Sequence, residues 1–493
     1  MTQTTALSPE PPVIRHRSWV SLLLNFEPAH LLVPVIALVT LYIAARPVSD
    51  IDTYWHVLIG QEILAKHSVT GLGDSWALFG AGQGWQTTQW LSEAGMFLLY
   101  RAWGWHGITA ATFVLSAIVV VSLGWLTLRG RPARITVLVY ALEALPLSDL
   151  LISRPQIVSL VFLLWLAHIG RQMSVTTAGP RPVLVGMVTA AWANFHGYWV
   201  LAPAFLFLGT LGALADDWRA WPRTMRRWVP VVLASLVGGC LTPIGVRGLL
   251  MPFRFHEATS AIIEWAPTTF ASPGALGFLT LMLLTVWAWA RTRSVVPRSE
   301  LIMALGVFSY STIAMRNVVV AAVLLTPLFA DRLSHAWTHR SAVSRRETRA
   351  LVTVIVLVTT VGSAVVLTKE LRVQPLAETK PLGIAAYLHE VPGDKRILND
   401  YNTAGPLLIY GPGNIRLAID GRADRNGATW IAEYQNAMAL RPGWQVVLTK
   451  VRPDYAVLAM DSPLPHVLEK EDHWHVLMTD QGYVLLAPAK PRP

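Results

Sequence analysis

The chain has 493 residues, of which 53% are hydrophobic and only 14% charged, with a mean hydropathy of +0.44. This excludes a soluble globular protein, whose core could not hide that much apolar surface. The net charge of +10 is carried largely by arginines between apolar runs, so it reads as a membrane-topology signal and no nucleic-acid partner is implied.

Residues 1–29 are polar, contain proline and show no cleavable signal, which predicts a cytoplasmic N-terminal tail and a first span that doubles as the export signal. Apolar runs then recur at 31–45, 107–128, 135–147, 156–169, 183–193, 199–215, 228–242, 276–290, 301–314, 318–330 and 351–367. A helix needs roughly 20 residues to cross about 30 Å of hydrocarbon, and several runs must borrow flanking residues to do so. The expected fold class is an α-helical polytopic membrane protein with about eleven transmembrane helices over 30–368.

Alternate loops are loaded with arginine. One set holds Arg15 and Arg17; Arg129, Arg131 and Arg134; Arg171 and Arg181; Arg219, Arg223, Arg226 and Arg227; Arg291, Arg293 and Arg298; and Arg332, Arg340, Arg345, Arg346 and Arg349. The other holds scattered residues such as Arg46, Arg101, Arg154, Arg247, Arg254 and Arg316. Positive charge near span ends is retained in the cytoplasm. A multi-pass plasma-membrane protein follows, with its N-terminus inside and, for an odd number of spans, residues 369–493 outside the cell. Composition marks the same boundary, because Lys66 is the single lysine before Lys369. Cys240, the only cysteine, lies in an apolar run and reads as a small buried residue, leaving no disulfide or thiolate metal site.

The first outer loop, 46–106, is too long to be a simple connection. It opens with Asp50-Ile51-Asp52-Thr53-Tyr54-Trp55-His56, two carboxylates at the exit of the first span beside aromatic residues suited to an interface. Segments 57–64 and 90–103 carry apolar residues at helical spacing but are too short and polar to span, so they read as interfacial helices. Asp74-Ser75-Trp76 and Gly82-Gln83-Gly84-Trp85 read as turns between them.

An acidic pair at the exit of the first span, followed by two interfacial helices, resembles the GT-C superfamily of membrane glycosyltransferases. More closely, the chain looks like a largely uncharacterised bacterial GT-C-like branch. The phrases that carry this are Asp52-Thr53-Tyr54-Trp55-His56 with Gly60, Gln89-Trp90-Leu91-Ser92-Glu93, Arg154-Pro155-Gln156, Trp192-Ala193-Asn194-Phe195-His196-Gly197, Ile263-Glu264-Trp265, Arg316-Asn317 and Asp420-Gly421-Arg422. In order they cover nearly the whole chain. Where most of that branch carries a second tryptophan, this chain has Tyr54.

The resemblance implies transfer of a sugar from a polyprenyl-phosphate-linked donor to a lipid or glycan acceptor of the cell envelope, at the outer face of the membrane. Such chemistry needs a base for the acceptor hydroxyl, a positive group for the leaving phosphate and an apolar groove for the lipid. Asp52 is the expected base, because a carboxylate beside Trp55 at the membrane edge has reason to be raised in pKa. Asp50 either assists it or, with Asp52 and His56, holds a divalent cation such as Mg or Mn; the alternative is that the two acids merely end a helix in water. Arg154, Arg316 and Arg254 stand on the arginine-poor side, which topology does not explain. Guanidinium matches phosphate oxygens, so Arg154 and Arg316 are assigned to the lipid phosphate; headgroup anchoring, or pairing with Glu264 or Glu93, is the competing assignment. Asn194 and His196 are placed on sugar hydroxyls or, alternatively, in interhelical hydrogen bonds. Glu93 and Asn317 join the substrate-binding set through their phrases, and Glu264 is the second acid/base candidate.

The C-terminal part alternates strands expected at 396–398, 416–419, 455–459 and 483–487 with helices at 381–388, 430–440, 444–450 and 465–469, a small α/β extracytoplasmic domain. Asn399, Asp400 and Tyr401 follow one strand, and Asp420, Arg422 and Asp424 the next, where open α/β sheets bind ligands. Asp420 and Arg422 therefore stand as substrate-binding residues or as a pair that fixes a loop against the membrane domain. No Gly-rich nucleotide fingerprint is present. The rival to a glycosyltransferase is a non-catalytic or transport-like protein that binds a lipid or glycan on the same scaffold. Glu143 is the only obvious mid-span acid, which argues against ion-coupled transport.

Overall fold

The computed structural model describes residues 32–44, 48, 50–79, 84–128, 131–175, 179–251, 263–292, 295–337 and 380–489, with isolated positions between 353 and 368. The helices up to residue 337 are α1 (Leu32–Ala44), α2 (Asp52–Lys66), α3 (Trp90–Leu128), α4 (Ala133–Leu147), α5 (Gln156–Val175), α6 (Pro182–Phe195), α7 (Leu201–Asp216), α8 (Trp221–Gly239), α9 (Pro273–Thr292), α10 (Arg298–Ile313) and α11 (Asn317–Ala336). Five helical segments are long and apolar enough to cross a membrane: Trp90–Leu128, Gln156–Met173, Gly197–Asp216, Pro273–Thr292 and Asn317–Ala336. The protein is thus a helical membrane protein with five candidate spans among its described residues. The runs at 31–45, 135–147, 183–193, 228–242 and 301–314 fall on the helices α1, α4, α6, α8 and α10, while the run at 351–367 lies outside the described residues save for isolated positions.

The long helix α3 joins an expected interfacial helix to an expected span. Gly104 separates the two with φ 58° and ψ −148°, a conformation that L side chains avoid. The first half of α3 packs against α2 at Gly60, where a Cβ would overlap the backbone carbonyl of Glu93. α11 is the centre of the bundle and packs against α4, α5, α9 and α10, with Val320, Ala321, Ala322 and Phe329 fully buried. At its C-terminal end Asp331 pairs with Arg131 and Arg171, each at 2.7 Å. Arg171 lies toward the C-terminal end of α5 and Asp331 toward that of α11, so the two helices run the same way and Arg154 and Arg316 share the opposite end.

The C-terminal domain holds a five-stranded sheet of order β2-β1-β3-β5-β4. Its strands are β1 (Lys395–Asn399), β2 (Ile415–Leu417), β3 (Tyr455–Ala459), β4 (His475–Asp480) and β5 (Tyr483–Ala487). β1 pairs in parallel with β2 and β3, whereas β3–β5 and β5–β4 are antiparallel. The strand β4 was not expected from the sequence.

The edge strand β2 is capped by the 46–106 loop. The Leu417 amide donates to the Trp76 carbonyl at 2.8 Å and the Leu78 amide to the Leu417 carbonyl at 3.1 Å, while Phe79 packs on Trp430 with ring centroids 4.2 Å apart. An open edge would expose unpaired backbone groups, so the loop and the sheet stabilise one another. Removing this ring in Phe79→Ala should cost about 1–3 kcal/mol locally. The expected result is faster hydrogen exchange at the Leu78 and Leu417 amides with α11 unchanged; unchanged exchange at both amides would place the loop outside the sheet's core.

Candidate functional site

A cavity of about 1120 Å³ lies where the Arg154/Arg316 end of the bundle meets α2 and the sheet domain. The acidic phrase builds its first wall. Asp50 Oδ1 accepts from the Asp52 amide at 2.9 Å, satisfying one of the donors that a helix N-terminus leaves orphaned. Asp52 thereby begins α2, and Trp55 and His56, three and four residues on, share its face. The Trp55 indole nitrogen donates to Asp52 Oδ1 at 3.0 Å. His56 Nδ1 lies 2.9 Å from Glu93 Oε1, and Gln89 joins the pair at 3.3 Å from Glu93. Glu93 is fully buried behind the cavity wall.

Arg154 is the hub of the acidic residues. It pairs with Asp50 at 2.8 Å, Asp52 at 3.0 Å and Glu264 at 3.2 Å, and the Thr53 hydroxyl fixes its loop by donating to the Ser153 carbonyl at 2.8 Å. Burial raises the Asp52 carboxyl above the ordinary carboxylate range, and neighbouring Asp50 adds to this; Arg154 and the Trp55 hydrogen bond pull the other way without cancelling it. Among the described residues no group of three or more His, Cys, Asp or Glu is placed to hold a metal ion. Asp50 and Asp52 turn to Arg154 and His56 Nδ1 turns to Glu93, so as arranged these three do not fit Mg or Mn.

Arg316 stands in a different setting. Its Nε donates to the Tyr198 hydroxyl at 2.8 Å and its Nη2 to Gln156 Oε1 at 3.3 Å, and the guanidinium lies 4.5 Å from the Trp265 ring centroid. Among the described residues it forms no ion pair. Beside it Asn317 donates to the Tyr310 carbonyl at 3.1 Å. His196 Nδ1 accepts from the Tyr198 amide at 3.2 Å and lies 3.0 Å from Ser159 Oγ. The amide fixes Nδ1 as the acceptor, so a neutral ring carries its proton on Nε2.

Asn194 does not line the cavity. Its amide donates to the Ala190 and Leu241 carbonyls at 2.8 and 2.9 Å and its oxygen accepts from Trp90 at 2.7 Å, which is the interhelical role. Asp420 and Arg422 pair with each other. Arg422 also donates to the Leu72 and Gly73 carbonyls at 2.9 and 3.1 Å and lies 5.1 Å from the centroids of both Trp76 and Trp85. Burial pushes the Asp420 carboxyl up, but Arg422 outweighs it and holds the group below its ordinary range. Arg254 lies outside the described residues.

The chain matches no known family model, and no curated protein matches it. The site must therefore be judged on its own geometry. That geometry brings Asp52, His56, Arg154, His196, Glu264, Arg316, Asn317, Asp420 and Arg422 to one cavity and leaves Asp50, Asn194 and Glu93 off its wall. The sequence reading gave no role to Gln156, Tyr198, Trp265 or Tyr310, which line it too. Gln156 and Trp265 were within reach, since each sits in a phrase already singled out.

Asp424 accepts from the Trp85 indole at 2.7 Å, and burial pushes its carboxyl up to about 6 from 3.8 despite that bond and the Arg422 charge. The unfolded chain therefore loses this proton first. Stability should fall between about pH 4 and 6 and level off above, by about 1–3 kcal/mol. Asp424→Asn keeps an acceptor for Trp85 and should remove that slope in thermal unfolding; an unchanged slope would assign it to another group.

Proposed function

We propose that the protein is a membrane glycosyltransferase that moves a sugar from a polyprenyl-phosphate-linked donor to a cell-envelope acceptor at the outer face of the plasma membrane. One observation carries this reading: the Asp52 carboxylate and Arg316, a guanidinium whose partners among the described residues are neutral, line a single cavity. Arg316 is matched to a phosphate oxygen pair and Trp265 and Tyr198 hold its plane. Arg154, already met by three carboxylates, is assigned to orienting Asp52, and the phosphate role passes to Arg316. His196, Glu264 and Asn317 supply polar contacts to the ligand.

In the reaction Asp52 takes the proton of the acceptor hydroxyl while its oxygen attacks the anomeric carbon. The bond from that carbon to the phosphate oxygen breaks, and the phosphate leaves with the electron pair beside Arg316. A carboxyl raised by burial is a better base near neutral pH than an exposed one. Asp50 assists by holding Arg154 and the start of α2. In this reading about eleven spans, counting the shorter helices and the 351–367 run, place the sheet domain outside the cell.

Transfer should fall at least about 10²-fold in Asp52→Asn, measured in nanodiscs with a polyprenyl-phosphate sugar and with thermal unfolding to verify the fold. Binding of undecaprenyl phosphate should weaken more in Arg316→Ala than in Arg316→Lys, because lysine keeps the charge and loses the fork. Full transfer in Asp52→Asn would move the chemistry to Glu264. An inactive wild type that still binds the lipid phosphate would leave a binding or transport role.

Orientation is tested separately. A reporter fused after Pro493 should be active only outside the cytoplasm and one fused after Arg340 only inside; reversal of both would overturn the arrangement.

A further inference from the structure

The sheet domain walls one side of the cavity, and two of its residues bear directly on the acidic centre. Tyr401 follows β1 and lines the cavity. Its hydroxyl forms no hydrogen bond among the described residues. Burial, and then the Asp52 charge, hold the phenol above its ordinary range, with Arg154, Asp420 and Glu264 also acting on it. It is therefore a hydrogen-bond donor at any working pH, placed within the field of the proposed base.

Gly421 lies directly against α2. A Cβ at this position would overlap both Asp52 Oδ1 and the Trp55 indole nitrogen, so the glycine backbone is what those two groups rest on. The turn has little room to yield. Arg422, 1% exposed, ties it to the Leu72 and Gly73 carbonyls, the Trp76 indole donates to Asp420 at 3.2 Å, and Arg425 pairs with Asp74 at 2.7 Å. Asp52 cannot retreat freely either, being held by Arg154 and Trp55.

We propose that the sheet domain completes the reaction centre: Gly421 is a positioning residue that holds the Asp52 carboxylate and the Trp55 indole in place, and Tyr401 donates its hydroxyl proton in a hydrogen bond to the bound substrate. The chemistry in this inference rests on the glycosyltransferase reading. The positioning does not.

The test uses the full chain labelled with 5-fluorotryptophan in nanodiscs, with the Trp55 resonance assigned by Trp55→Phe. In Gly421→Ala the Trp55 signal should shift while signals from tryptophans remote from the turn, such as Trp125 and Trp287, stay in place. Transfer from an undecaprenyl-phosphate sugar should drop by roughly 10²-fold, as a misplacement of about an ångström can produce, with undecaprenyl phosphate affinity within about threefold of wild type. Tyr401→Phe, a milder change, should lower transfer roughly tenfold, the worth of one hydrogen bond. If Gly421→Ala does not fold, Arg422→Lys loosens the same turn without adding bulk there and should shift the same fluorine signal. A Trp55 resonance that stays at its wild-type position in the folded turn variant overturns the positioning role, and wild-type transfer by Tyr401→Phe overturns the donor role. Should the wild type transfer no sugar, the reaction assignment and the donor role fall together, and the fluorine signal alone decides the positioning.

Discussion

Arg154 faces three carboxylates with one positive charge, and the organisation of the site depends on that imbalance. Two of its partners, Asp50 and Asp52, come from the start of α2 and the third, Glu264, from a short turn far along the chain. Without the guanidinium these acids would be close together and partly buried, which electrostatics strongly disfavours. With it, and with Lys380 also acting on Asp50, the three carboxylates still outnumber the cations. One release is protonation, and Asp52, whose carboxyl burial raises, is the member disposed to accept a proton. A carboxylate held in that condition is suited to take and return protons, whereas the same residue ending a helix in open water would not be.

The imbalance also separates the two arginines that sequence treats alike. Arg154 and Arg316 both stand at the end of the bundle opposite the Arg131–Asp331–Arg171 cluster, where arginines of the other set meet their acid. Only distances distinguish them. Arg154 is neutralised by its neighbours, while among the described residues Arg316 is supported by a phenol, an amide and an indole face, none of which cancels its charge. A cation that is positioned but not neutralised can bind an anionic ligand without first breaking an ion pair, and this is the physical content of assigning the phosphate to Arg316.

Much of this was legible in the sequence, and what was not has identifiable causes. The strands Tyr455–Ala459 and Tyr483–Ala487 have the expected ends because each is a short apolar run bounded by polar turns, buried at its centre. β4 is solvent-exposed at four of its six positions, so it carries no alternating pattern and exists through its pairing with β5. The break between the interfacial helix and the following span was visible as a change in polarity, and Gly104 explains it. The Asp50-Ile51-Asp52 spacing signalled a site, but the choice between a metal, a solvent-exposed helix end and an ion-paired hub turned on Arg154, about a hundred residues away. Asn194 was ambiguous for the same reason: an amide suits a sugar and a helix interface equally, until its three partners are known.

The alternative offered by Asp420 and Arg422, ligand contact or loop fastening, is less of an opposition than it seems. The guanidinium, though its residue borders the cavity, is buried and gives hydrogen bonds to Asp420, Leu72 and Gly73, so its fastening role is the better supported. Yet what it fastens is the turn whose glycine bears on Asp52, and the edge strand just before that turn pairs with the loop beside α2. Backbone pairing, aromatic packing, the Arg425–Asp74 ion pair and the Arg422 hydrogen bonds to the Leu72 and Gly73 carbonyls thus all join the sheet domain to the loop that follows α2. Buried ion pairs add little net stability over apolar contacts of the same size, and their advantage is geometric, since each permits one arrangement of the two surfaces. That is the property required where a carboxylate from one domain must be held against the backbone of another.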